Sequence, residues 1–395
     1  MFYDRPFDNL WQNIRANRYV VPFISLNAPT TNYLQTSAEA LKKYAPAPGD
    51  FPNLTGFDPN LKNGFARTAF LGIQQAVRES LTVDINFTAS QSRRLITSDL
   101  VNRNFTTPEL QRPNQDLPQI TWRSNQGKAD YLAVSALVRY KLRTLMMQGA
   151  YTISHSIDNQ SDPLTGDFFD VNGNAGGGSQ ALIASFQNQY DARGDRGNSA
   201  FDQRHNLFLT GIWSPESRWK VAKNWKVAWM SSFRGGTPFT VLAPQSISFT
   251  GGGIQVNQRA DLLDPSKVFY STPKAVKGGL AILNPDAFGQ PDSGPGTSGR
   301  NAFRGPGLYN IDMSLARTFP IPTFWKFRER ATLTVRADSF NVLNHANRGN
   351  PGNLLGDPAF GISTYGRQGA ASGFPAISPL NDAARTFQLM MRVSF

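Results

Sequence analysis

The sequence of 395 residues contains no cysteine, which excludes disulfide bonds, zinc sites built on thiolates and a cysteine nucleophile. It also lacks an apolar run of the roughly 18 residues that a transmembrane helix needs. The N-terminal segment MFYDRPFDNLWQN has neither the basic start nor the apolar stretch of a secretory signal. An export signal, if there is one, is therefore expected upstream of this chain.

Acidic residues are also in the minority, with 28 Asp and Glu against 40 Lys and Arg and a formal net charge of +12. Such a balance favours anionic partners. The basic residues are scattered, however, and form no block of the kind that binds nucleic acid, so no nucleic-acid partner is expected. The mean hydropathy of −0.37 is typical of soluble proteins, but alternating apolar and polar residues cancel in this average.

The dominant pattern is a strict alternation of apolar and polar residues. At the C-terminus, five apolar residues share one face of a predicted strand: Phe387, Leu389, Met391, Val393 and Phe395. The same period recurs near 66–77, 81–90, 132–140, 144–153, 204–214, 225–234, 310–315 and 331–338. These segments predict about nine strands of about 10 to 13 residues. A tilted strand of ~9–11 residues crosses a bilayer, and soluble strands are shorter.

The connections between these strands alternate between short and long. Short ones fall near 78–80, 142–143, 215–223 and 320–329, and long ones near 95–128, 156–203, 236–307 and 342–384. Outer-membrane β-barrels have short periplasmic turns and long extracellular loops. The pattern thus predicts an all-β fold, a transmembrane antiparallel outer-membrane β-barrel with long, irregular external loops.

The odd number of strands predicts a partial barrel, because single-chain bacterial barrels have an even number. We assign 1–65 to an extracellular loop region and 66–395 to the C-terminal part of the barrel. The N-terminal strands and a plug are expected to lie outside this chain.

Aromatic residues collect beside the short turns, where they predict contact with the membrane interface. The alternative is ordinary core packing. The residues are Trp213, Trp225, Trp229, Phe319 and Trp325.

Charged residues within the strands predict an aqueous interior, because a charge on the lipid face is costly. We assign Asp84, Arg336, Asp338 and Arg392 to the interior face. Arg139 and Arg317 are expected near the interface.

Motifs for catalysis, cofactors or metals are weak. Residues 294–299 satisfy GxGxxG but lie in a Pro- and Gly-rich stretch, which favours a flexible external loop over nucleotide binding. Oxygen-bearing side chains between Asp158 and Asn174 leave calcium open as an alternative to a solvated loop. The three histidines, His155, His205 and His345, are too far apart in sequence for a typical zinc site. We expect no catalytic residue, no cofactor and no metal site.

Several segments together resemble TonB-dependent receptors of the Oar-like type. They are FYDRP (2–6), FDQRHNLFLTGIW (201–213), FRGGTPFTV (233–241), GTSGRNAFRGPGLYNIDMSLARTF (296–319), RATLTVRADSFNVLNHANRGNP (330–351) and RTFQLMMRVSF (385–395). The resemblance covers almost the whole chain and implies a 22-stranded barrel with an N-terminal plug, energised through TonB–ExbB–ExbD. Receptors of this family import siderophores, cobalamin, saccharides or peptides. The terminal alternating residues ending at Phe395 resemble the signal read by the barrel-assembly machinery.

Three functions follow as hypotheses: an active transporter of the outer membrane, a surface protein that adheres without transporting, and a soluble all-β binding domain. We favour the first and expect no enzyme. The expected partners are the lipid bilayer and lipopolysaccharide, the barrel-assembly machinery, and the TonB complex through the missing N-terminal part.

Overall fold

A computed structural model describes residues 2–3, 54–102, 113–114, 116–117, 120–161, 186–219, 221, 223–243, 259–292, 296–321, 331–364 and 384–394. Within these ranges, nine long strands form one antiparallel sheet in chain order. They are β1 (Phe65–Arg78), β2 (Leu81–Val101), β3 (Ile120–Lys141), β4 (Leu145–Asp158), β5 (His205–Trp213), β6 (Trp225–Arg234), β7 (Leu308–Pro320), β8 (Thr332–Phe340) and β9 (Thr386–Ser394). In the described part of the chain, no helix is long and apolar enough to span a bilayer.

The strand register places the alternating apolar residues of all nine strands on a single face of the sheet, which we call the apolar face. One row of directly paired residues runs Ile73, Ile85, Ala136, Tyr151, Leu207, Phe233 and Tyr309. Ile85 is 52% exposed and Leu132 51% exposed, although both are apolar. Asp84, on the opposite or polar face, is buried. The predicted two-sided strands are therefore confirmed, because one face exposes hydrocarbon and the other holds charge.

Short turns join the strands at one end of the sheet, as the sequence predicts. The β1–β2 turn is Glu79–Ser80 and the β3–β4 turn is 142–144. The β5–β6 and β7–β8 connections are 214–224 and 321–331, of which 220, 222 and 322–330 lie outside the described residues. At the other end, β2 and β3 have 21 and 22 residues, about twice the predicted length. The predicted loop at 95–128 is therefore wrong at both ends, because Leu95–Val101 pairs with 120–127 beyond a bulge at Arg94. The polar composition of this extension hides it from a search for alternating apolar residues.

The prediction of structureless long loops is also wrong for 236–307 and 342–384, where part of each connection folds. Short strands join the two connections, because Gly279–Leu283 pairs with both Phe269–Val276 and Ile362–Thr364. Further two-stranded pairs join Pro238–Phe239 to Phe303–Arg304 and Asp261–Leu262 to Phe288–Gly289. The 3-10 helices are Arg193–Asp195, Pro265–Lys267 and Pro285–Ala287.

Among the nine long strands of the sheet, the two at the edges are β1 and β9, and short strands pair with β1, β3 and β4. β9 pairs with β8, and β1 pairs on its other edge with Phe2–Tyr3. Gly197–Asn198 pairs with the end of β4, and Leu54–Phe57 pairs in parallel with the start of β3. The assignment of 1–65 to an external loop region and of 66–395 to the barrel stays a prediction.

Candidate functional site

The folded parts of the long connections form a small unit above the sheet, which we call the cap: residues 237–243, 259–292, 296–304 and 349–364. The cap has its own apolar core, and the burial of these apolar side chains stabilises its fold. The core residues are Phe239, Val241, Ala243, Ala260, Val268, Ile282, Leu283, Ala287, Phe288 and Phe303. The ring of Phe288 packs edge-on against Phe303 and Phe360, with centroids 5.4 and 5.9 Å away.

Three aspartate–arginine pairs attach the cap to the end of β4 and to the segment between β4 and β5, and we call these pairs the clasp. They are Asp158–Arg300, Asp195–Arg259 and Asp202–Arg304. All three carboxylates are at most 8% exposed, and so are the side chains of Arg259 and Arg300. Burial of this kind is tolerated only when each charge is paired and hydrogen-bonded.

Arg300 makes the most contacts within the clasp. Arg300 Nη2 lies 2.7 Å from the Asp158 carboxylate and donates to Ser161 Oγ at 2.9 Å. Nη1 donates to the Asp158 carbonyl at 3.1 Å. Asn301 also donates its side-chain amide to the Asn198 carbonyl at 2.8 Å. The Arg300 guanidinium and the Asn301 amide thus tie the cap to residues 158–161 and to Asn198.

Another buried carboxylate, Asp99, holds the chain that leads into the clasp. It accepts hydrogen bonds from the backbone N–H groups of Phe186 and Tyr190, at 2.9 and 3.0 Å. Burial, followed by the charge of Asp99, raises the pKa of Tyr190. Nearby, the Arg193 guanidinium lowers the pKa of exposed Asp191 to about 2. Asp191 is therefore ionised at neutral pH.

The backbone passes closely where the cap leaves β6, at two successive glycines. A Cβ on Gly236 would lie 1.8 Å from the Gly305 carbonyl oxygen, whereas a Cβ on Gly235 would have its nearest neighbour at 3.6 Å. We expect Gly236→Ala to destabilise the cap by roughly 1–3 kcal/mol, because backbone must move to relieve the overlap. Gly235→Ala, the matched control, should leave the cap intact.

Limited proteolysis of the folded protein in detergent measures this difference as the rate of cleavage within 237–304. Equal cleavage rates for the two alanine variants would contradict the close approach.

The polar face of the sheet carries further ion pairs. Arg139 Nη1 lies 2.8 Å from the Asp84 carboxylate, and Arg336 Nε lies 2.7 Å from that of Asp338. Arg392 lies on the same face, opposite Thr334. The sequence analysis did not assign Arg139 to the polar face. It lies near a short turn, as expected, but its side chain faces Asp84.

The aromatic residues predicted to lie at an interface are on the apolar face. Trp213 pairs with Val227, and Trp225 pairs with Arg317, next to the short turns. Arg317 lies over the rings of Trp225 and Phe319, 5.2 and 4.7 Å from their centroids. Such stacking reduces the cost of a charge beside an apolar surface.

Trp229 lies in the middle of β6, where its ring covers Gly211. Trp325 lies outside the described residues. An interface role for this set stays a prediction.

The GxGxxG segment and the possible calcium loop are each partly described by the structure. The loop predicted at 294–299 is a loop over its described residues, 296–299, but Ser298 is buried and its N–H donates to the Ala260 carbonyl at 3.0 Å. Asp158, the first residue of the possible calcium loop, pairs with Arg300, and 162–174 lies outside the described residues. Within the described ranges, no cluster of three or more His, Asp or Glu side chains is placed to hold a metal.

The histidines do not come together. His205 Nδ1 lies 2.8 Å from the hydroxyl of Tyr151, and His155 Nε2 lies 3.1 Å from Asn198 Oδ1. His345 packs edge-on against Tyr309. Each histidine therefore serves local packing and hydrogen bonding.

Sequence reasoning missed the clasp itself. Its partners are separated by 64 to 142 residues, which no local pattern reveals. The available signal was the density of Arg and Asn in GTSGRNAFRG, which is part of a segment used for the family resemblance, and of Asp in 191–202, which overlaps another.

Comparison with known families agrees with this architecture. Residues 1–388 match the family model described as an outer membrane beta barrel domain. The chain belongs to this family. It is accordingly a β-barrel protein of the cell outer membrane, whose apolar face meets lipid and whose polar face lines the interior.

Two solved structures are similar to much of this chain. The outer membrane transporter YddB from Escherichia coli has 13% identity and a TM-score of 0.42, covering 86% of this chain and 34% of that chain. The FrpB iron transporter from Neisseria meningitidis has 9% identity and a TM-score of 0.38, covering 86% of this chain and 32% of that chain. The barrel chain spans about a third of the length of these structures. No curated protein matched the sequence.

The dimensions of β7 agree with a membrane crossing. Tyr309 and Phe319 lie on the apolar face, ten residues apart on one strand. Ten residues span about 33 Å along a strand, or about 25 Å when the strand is tilted. That height equals the apolar band of outer-membrane barrels, which aromatic residues flank.

Proposed function

We propose that this chain is the C-terminal part of a TonB-dependent receptor of the Oar-like type, which takes up a ligand with energy from the inner membrane. The observation that carries the proposal is the cap, a folded unit that buried charges hold to the loop end of a sheet with one polar face. A receptor needs an ordered surface to select a ligand and an interior through which the ligand passes.

The polar face supports a wide, hydrated or protein-filled interior. Asp84–Arg139 and Arg336–Asp338 lie on this face with their arginines about half exposed. Narrow barrels fill their interior with packed side chains, and larger ones enclose a channel or a plug. Ion pairs on the inner wall would let a plug bind through polar contacts and move without breaking an apolar interface.

The edges of the sheet support a larger barrel. An unpaired strand edge in lipid costs several kcal/mol per backbone group. Additional strands alongside β1 and β9 would remove this cost by closing the sheet. We assign those strands, the plug and the TonB contact to a part of the protein outside this chain.

We also propose that β9 carries the signal for the barrel-assembly machinery. Phe387, Leu389 and Met391 are 71–79% exposed on the apolar face, and Val393 follows in the same register. Phe395 lies outside the described residues. An edge strand with one apolar face is suited to pairing with a strand of an assembly factor.

Uptake by intact cells tests the transport proposal. Cells that produce the whole receptor should accumulate one of four labelled ligand classes: ferric siderophores, cobalamin, oligosaccharides or peptides. A protonophore should abolish the accumulation, because it removes the energy source. The control is the same receptor without TonB.

Accumulation that survives the protonophore, or no accumulation in any class, would contradict energised uptake. The alternative, an outer-membrane adhesin or structural protein, predicts cell attachment that depends on the cap and does not respond to the protonophore.

A further inference from the structure

A cluster of basic side chains lies on the apolar face at the loop end of β1–β3, directly above the lipid-facing residues. We call it the basic patch: Arg67, Arg93, Arg94, Lys128 and Arg196, with Asp130 among them. Arg93 pairs directly with Lys128, and Gln91 pairs with both Arg67 and Asp130. The residues thus form one contiguous surface across three strands.

A backbone irregularity adds to the positive charge. Arg94 has a φ of 57° at the bulge between β2 and β3. As a result, both Arg94 and Arg67 lie over the ring of Phe65, at 5.7 and 5.2 Å from its centroid. Without the bulge, strand alternation would send Arg94 to the polar face.

A single carboxylate organises the patch without neutralising it. Asp130 accepts from Arg93 through one oxygen, at 2.8 Å, and from Arg196 through the other. Five cations and one carboxylate leave four positive charges. On the apolar face of β1 to β4 between the short turns and this patch, the described residues include no other Asp or Glu.

The height of the patch indicates its environment. Gln91 lies ten positions after Leu81 on β2, and Asp130 lies ten positions before Tyr140 on β3; Leu81 and Tyr140 are the residues at the short turns. Ten residues match the length of strand that crosses the membrane. The next paired row down the apolar face is Ala89 and Leu132, and Leu132 is 51% exposed. The basic patch therefore lies at the level of the outer-leaflet headgroups.

We propose that the basic patch binds the phosphate-bearing headgroup of lipopolysaccharide in the outer leaflet. Guanidinium groups suit phosphate because they donate two parallel hydrogen bonds. A plug or a passing ligand cannot reach this surface, because it is on the lipid side of the wall. The inference rests on the position of the chain in the outer membrane and does not depend on transport.

Binding of purified lipid A to the whole protein in detergent tests the proposal. The test variant is Arg67→Gln/Lys128→Gln, which leaves the Asp130 pairs untouched. The matched control is Lys141→Gln/Lys223→Gln, which removes two exposed cations at the opposite rim. Heat-modifiable migration on gels verifies folding in each case.

We expect bisphosphorylated lipid A to bind the test variant about 30-fold more weakly than the parent, from about fivefold for each cation lost near an anionic surface. The control should bind as the parent does. Dephosphorylated lipid A should bind the parent and the test variant equally weakly.

Three results would overturn the assignment. One is equal affinity of the test and control variants for bisphosphorylated lipid A. Another is equal affinity of the parent for phosphorylated and dephosphorylated lipid A. The third is displacement of lipid A by inorganic phosphate at equal concentration, which would indicate a site for free phosphate.

Discussion

Arg300→Ala is expected to release the cap from the sheet. The substitution leaves the Asp158 carboxylate, which is 8% exposed, without its countercharge. Breaking a buried ion pair from one side costs about 3–5 kcal/mol. A cost of about 3 kcal/mol raises the population of the detached cap by about 100-fold. Limited proteolysis of the folded protein in detergent should show this increase as faster cleavage within 259–292.

The controls separate charge from bulk. Arg193→Ala removes an arginine of the β4–β5 connection whose ion pair with Asp191 is far more exposed than the clasp, so cleavage should barely change. In Asp158→Asn/Arg300→Met, neither charge remains, and the cost should be smaller than that of Arg300→Ala alone. If the double variant were cleaved as fast as Arg300→Ala or faster, the buried ion pair would not be the basis of attachment.

Val134→Arg is expected to prevent stable membrane insertion. Val134 lies on the apolar face between Phe87 and Ile153, near the middle of the crossing, and is 42% exposed. Arginine at the midplane of the lipid face costs about 2–4 kcal/mol in barrels of this kind. The folded fraction, measured by heat-modifiable migration after extraction from membranes, should fall by at least tenfold.

The neighbouring position supplies the control for this prediction. Ser135 lies on the polar face, between Asn86 and Thr152. An arginine there would face the interior, so Ser135→Arg should leave the folded fraction near that of the parent. If Ser135→Arg and Val134→Arg reduced folding equally, the two faces of the sheet would not differ in their surroundings.

The strands of the sheet could be predicted because their burial pattern is local. Ile85, Phe87 and Ala89 alternate with Asp84, Asn86 and Thr88 in the sequence itself, and the period of two is the geometry of a strand. The short turns follow for the same reason, since the alternation stops and resumes within a few residues. Neither conclusion requires knowledge of which strands pair.

The extension of β2 and β3 could not be predicted from the same rule. Thr97, Ser98 and Asp99 are buried although they are polar. They are covered by distant parts of the chain, as when Gln160 bonds to both the N–H and the carbonyl of Ser98. A pattern search interprets polar residues as solvent-exposed, so it placed a loop here.

The sequence alone determined the outer-membrane β-barrel class, the two faces of each strand and the end of the sheet at which the short turns lie. Each of these features follows from the pattern of residues close together in the sequence, so it can be predicted without knowing which strands pair. Only the tertiary structure decided that the long connections fold into a cap, that Arg300 meets Asp158, and that a bulge turns Arg94 towards the basic patch. These contacts join residues far apart in the chain, and their stability depends on shared burial, which no local pattern records.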